Sequence, residues 1–153
     1  AIIAGAEDLR TAVRFVKSSK DEFNIAPDRV ALMGFSAGAV TAINVAFGMQ
    51  EDVAAVISNS GYPSVFDMEK LVTSGSNVPP TLFFMAQNDY AVVEMELPPF
   101  LKYLSKIGAD YSFNWIPSHG HFYPSGTTSL GSDGSRMSVE ARAIQFLKKE
   151  LGL

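Results

Sequence analysis

Cysteine is absent from the 153 residues, which removes disulfide staples, thiolate nucleophiles and Cys-ligated zinc together. Histidine is nearly as scarce: His119 and His121 are the only two. Two imidazoles without a thiol give no basis for a zinc site, so neither metal nor cofactor is expected. Long apolar runs are also missing. The most continuous stretch, residues 53–57, falls far short of the roughly 20 residues that span a bilayer. Lys and Arg form no cluster, and the net charge is a mild -4, so no basic face invites nucleic acid. Internal repeats and low-complexity linkers do not occur. The chain opens Ala1-Ile2-Ile3, with neither Met nor the charged-then-apolar pattern of a leader, and we expect that processing or truncation removed what came before. The lack of cysteine suits reducing and oxidising surroundings alike, which leaves the compartment open.

What is present describes one globular domain over residues 1–153, with 47% apolar and 18% charged residues. Helical and strand patterns alternate, as in a parallel sheet with helices on its faces. Leu9, Val13 and Val16 recur at helical spacing within residues 5–23, and Pro27 ends that helix by turning Ala26 away from helical geometry. Residues 29–35 read as a short strand buried on both faces, residues 37–47 as a small-residue helix, and residues 52–58 as a second buried strand. A loop with one short helix near 66–72 leads to a third strand at 81–85. A helix follows at 94–107, with Pro98 and Pro99 in its first turn or breaking it. A fourth strand at 111–116, a loop at 117–134 and a closing helix at 136–151 complete the pattern.

The junction between the first strand and the helix after it reads Gly34-Phe35-Ser36-Ala37-Gly38. This G-x-S-x-G spacing puts a serine on a sharp strand-to-helix turn, with glycines where a Cβ would collide. The next amide, that of Ala37, then lies at a helix N-terminus, where it can stabilise an oxyanion. A random chain of this length shows the pattern about one time in twenty, so the strand–helix context carries the assignment of Ser36 as nucleophile.

A serine hydroxyl needs a base to take its proton, and the base needs an orienting carboxylate. The base must be His119 or His121, both placed after the fourth strand. Asp89 follows the third strand and so lies on the same sheet rim as Ser36; Glu94 is the reserve acid. The order Ser, Asp, His is that of α/β-hydrolases. Gly61 and Tyr62, just past the second strand, are candidates for the substrate wall.

The run Asn24-Ile25-Ala26-Pro27-Asp28-Arg29-Val30 leading into Gly34-Phe35-Ser36-Ala37-Gly38 resembles the serine carboxylesterases of the α/β-hydrolase superfamily, in the esterase/lipase and acetyl-xylan-esterase-like branches. Gln87-Asn88-Asp89-Tyr90-Ala91-Val92 resembles their acid loop, and Gly120-His121-Phe122-Tyr123 their histidine loop. The resemblance implies His121 as base, although His119-Gly120 imitates the other form of the motif. It implies a three-layer α/β-hydrolase fold with a mostly parallel sheet whose N-terminal strands are absent from this chain, along with the His-Gly-Gly segment that completes the oxyanion hole. The strand before Ser36 would then be an open edge, and we expect a companion segment or a second copy to complete the sheet. The implied activity is hydrolysis of short-chain esters, acetyl esters included, of small molecules or carbohydrates. A peptidase of the prolyl-oligopeptidase type and a non-catalytic assembly module are the alternatives.

Overall fold

Residues 1–153 are all described by the structure, a computed structural model. Its strands are the apolar, β-branched and aromatic runs. Strands β1 (Ala31–Phe35), β2 (Ala55–Asn59), β3 (Thr81–Asn88) and β4 (Tyr111–Gly120) pair in parallel, in that order. An antiparallel hairpin, β5 (Thr128–Gly131) and β6 (Arg136–Ser138), extends the sheet beyond β4. The expected loop at 117–134 therefore holds the end of β4 and the whole of β5. Only short stretches with little alternation build this hairpin, so periodicity does not reveal it.

Helix α1 (Ile2–Ser18) and the single turn α2 (Lys20–Phe23) precede β1, and α3 (Ala37–Ile43) follows it, running on into a π-helical turn at Asn44–Gly48. The short α4 (Met68–Leu71) and the long α5 (Ala91–Lys106) flank β3, and α6 (Val139–Leu151) closes the chain. Period-two alternation divides the sheet's side chains between two cores. Leu32, Val56, Phe83 and Met85 pack with Ala6, Val13, Ile43, Val93 and Leu97 from α1, α3 and α5. Ile57, Leu82, Phe84 and Ile116 pack on the opposite face with Val139 and Ala143 of α6. Helices thus cover both faces, giving three layers.

Two further expectations are corrected. Strand β1 is buried on one face only. Met33 pairs with Ile57 in register and so faces the α6 side. It is 63% exposed there, and Phe35 is exposed as well, because no helix covers the sheet edge. Pro98 and Pro99 neither start nor break their helix: α5 begins at Ala91 and runs through them. They deprive the carbonyls of Glu94 and Met95 of partners, but both residues are exposed to water. Buried Val93, Leu97, Phe100, Leu101 and Leu104 hold the helix on the sheet regardless.

Candidate active site

The parallel strands stop on one rim, and the residue immediately after each is polar: Ser36 after β1, Ser60 after β2, Asp89 after β3 and His121 after β4. Ladder hydrogen bonds reach past the strand ends and fix two of these positions. The Ser36 amide donates to the Asn59 carbonyl and the Ser60 amide to the Phe84 carbonyl, each at 2.9 Å. Ser36 has φ 53° and ψ -119°, the left-handed side of backbone space that side chains avoid. The bend works because β1 and α3 approach so closely at Gly34. A Cβ there would lie 2.2 Å from the Gly38 carbonyl carbon, whereas a Cβ on Gly38 would meet nothing within 4 Å. The first glycine of the motif is sterically required and the second is not.

Around this bend the side chains connect. Ser36 Oγ lies 2.8 Å from His121 Nε2, and His121 Nδ1 lies 2.6 Å from Asp89 Oδ1. A buried carboxylate accepts, so Nδ1 carries the proton and Nε2 is left to accept from the serine hydroxyl. Asp89 is otherwise fully engaged. Its Oδ1 accepts from the Tyr90 amide at 2.8 Å, and its Oδ2 from the Ala86 amide at 3.0 Å and the Ser60 hydroxyl at 2.5 Å. Burial pushes the Asp89 carboxyl pKa up, but the donors Ser60, His121, Ala86 and Tyr90 together outweigh it and hold the group below the ordinary carboxylate value. Tyr90 stacks on the His121 ring with centroids 3.8 Å apart, and Phe122 meets that ring edge-on.

Of the remaining sequence candidates, His119 points elsewhere: its Nδ1 donates to the Pro117 carbonyl at 2.9 Å. Glu94 is exposed on α5. A cavity of about 330 Å³ opens at Ser36, walled by Ala37, Val40, Tyr62, Tyr90, Val92 and Val93. Tyr62 thus stands where a substrate wall was expected. Gly61 does not line this cavity and backs onto α3; a Cβ there would sit 2.5 Å from that of Ala39. Ser60 was missed by the sequence reading. The signal that could have found it is positional, since it is the polar residue directly following a buried parallel strand.

The layered sheet, with its polar strand ends gathered on one rim, is the α/β-hydrolase fold. In sequence, residues 2–74 match the BD-FAE family model. A chlorogenic acid esterase of Aspergillus niger is 42% identical over 67 residues, which are 42% of this chain and 13% of that protein. Among solved structures, esterase PE8 aligns over 99% of this chain and 64% of its own, with a TM-score of 0.67 and 24% identity. MGS-M1, an α/β-hydrolase enzyme from a Medee basin deep-sea metagenome library, aligns over 97% and 65%, with a TM-score of 0.73 and 20% identity. A truncated carbohydrate esterase from gut microbiota gives a TM-score of 0.72 at 15% identity. The chain thus spans about two thirds of these structures, and over that part it shares their α/β-hydrolase fold.

Proposed function

We propose that this chain hydrolyses carboxylic esters through an acyl-enzyme formed on Ser36. The observation that carries the reading is the hydrogen-bonded run from Ser36 Oγ through the His121 ring to Asp89 beside an apolar cavity. Ser36 Oγ attacks the ester carbonyl as its proton passes to His121 Nε2. The protonated ring then gives that proton to the departing alcohol, and a water molecule repeats the sequence on the acyl-serine. Asp89 orients the ring and offsets its charge. The Ala37 amide, in the first turn of α3 and lacking an intrahelical acceptor, donates to the oxyanion. Apart from His121, no ionisable Lys, Arg, Asp or Glu side chain lines the cavity, which favours an uncharged ester of a small molecule or carbohydrate, and we read its acyl group as short. Similarity to a chlorogenic acid esterase and to esterase PE8 supports ester over peptide bonds.

The open edge of β1 belongs to the same proposal. With Met33 and Phe35 exposed beside unpaired backbone, β1 pairs with a strand from outside these residues, supplied by a second copy when the 153 residues are alone.

Labelling by a fluorophosphonate probe tests the nucleophile. The folded parent is expected to label and to hydrolyse p-nitrophenyl acetate but not a peptide anilide, and Ser36→Ala to do neither. A folded parent that refuses the probe would move the chain to the non-catalytic reading.

A further inference from the structure

Asp89 meets more than the histidine. The Ser60 hydroxyl is fully buried and lies 2.5 Å from Asp89 Oδ2 and 3.2 Å from the Tyr123 hydroxyl. A serine has one proton to give, and the anionic neighbour claims it. By contact geometry alone Ser60 is the donor to Tyr123 as well. Its one proton is taken by the carboxylate, however, which leaves the phenol to donate to Ser60 and makes a directed chain from Tyr123 through Ser60 to Asp89. The backbone is bent to allow this: Ser60 has φ 52°, a conformation non-glycine residues seldom adopt. Behind it, Gly61 is pressed against Ala39 of α3 too closely for any side chain. Strain held at a buried polar residue that touches a reacting group points to a role in the site.

We infer that Ser60, backed by Tyr123, is a positioning residue of this site: a hydroxyl arm that grips the outer oxygen of Asp89 and thereby governs when His121 is free to accept a proton. The inference rests on the proposed relay of Ser36, His121 and Asp89. When His121 is neutral the pair carries one negative charge, and when it takes up a proton the pair carries none. A donor on Oδ2 stabilises the charged state more than the neutral one, and its removal shifts the balance toward the protonated ring. Every other group against the pair leaves this sign intact. Tyr90 stacks on the imidazole from the start of α5, the amides of Ala86 and Tyr90 are fixed donors, and His121 is the only ion-pair partner of Asp89. Burial pushes the Tyr123 phenol far above its ordinary value, outweighing the Ser60 hydroxyl that lowers it, and the Asp89 charge adds to the rise, so Tyr123 stays protonated across the working range.

The test compares Ser60→Ala and Tyr123→Phe with the parent, reading the imidazole resonances of His121 by NMR across pH and the pH profile of kcat/KM on p-nitrophenyl acetate. Ser60→Ala is expected to move the His121 titration and the acidic limb together to higher pH by about 0.5–1 unit, the scale of one hydrogen bond to a buried charge. Tyr123→Phe keeps its ring and should move both in the same direction by less, and it carries the test if Ser60→Ala does not fold. His119, bonded to its own strand, serves as the unmoved control. A His121 titration unchanged in both folded variants would overturn the inference, because simple loss of packing lowers rate without moving a limb. Absence of fluorophosphonate labelling in the parent would strike the esterase reading instead, since ring titration needs no turnover.

Discussion

Gly34 and Gly38 stand equally far from Ser36 in sequence, yet one is jammed and the other faces open space. Gly34→Ala is expected to cost about 3 kcal/mol or more, since backbone rather than a mobile side chain blocks the new methyl. Gly38→Ala should leave the urea midpoint unchanged or raised, as alanine is the better helix former. For Asp89 the sign of the pH dependence follows from its lowered value. Its contribution to stability is present above the ordinary carboxylate value and is lost as pH falls through the lower folded one. Asp89→Asn should therefore flatten the acid side of the Tm–pH curve and cut kcat/KM by about 10³–10⁴-fold. Ser36, Asp89 and one of two histidines were legible because their residue types are few and their positions follow strands. Ser60 was not, because Ser-Gly after a strand reads as an ordinary turn and its partner lies 29 residues away.

At the scale of elements, apolar runs and helical spacing located β1 to β4, α1, α5 and α6 to within a few residues, because burial and periodicity agree there. The prolines misled where local propensity lost to packing. Pro98 and Pro99 sit on the wet side of α5 while five apolar residues anchor the other side. The helix therefore carries a local cost that its packing offsets. Replacing both prolines by alanine should raise the unfolding midpoint in urea, by roughly 1–3 kcal/mol of stability, because the Glu94 and Met95 carbonyls regain partners. The β5–β6 hairpin was illegible for another reason. Its anchor is Arg142 of α6, which donates to the Ser129 hydroxyl at 3.0 Å and to the Ser135 hydroxyl and carbonyl at 3.1 Å. Contacts of that kind between a helix and a preceding loop leave no periodic trace.

For the whole molecule, the order of helix and strand announces a parallel sheet, and the G-x-S-x-G run at a strand–helix junction agrees with the fold of the matching structures. The one-sided burial of β1 was hidden, since an apolar edge strand and an apolar central strand look alike in sequence. That edge sets the prediction at this scale. The 153-residue chain alone should sediment above the mass of one copy in a concentration-dependent way. Met33→Lys, which puts a charge on the uncovered face, should drive it toward single copies. A parent that stays strictly monomeric when concentrated would argue against pairing through β1. The four polar strand ends also share a single side of the sheet. The turns on the far side, such as residues 107–110 between α5 and β4, carry none of them. Tags, fusion partners or surface tethers grafted at that far side should leave the hydroxyl, imidazole and carboxyl atoms undisturbed, and protein immobilised through it would present the opposite rim outward to solution.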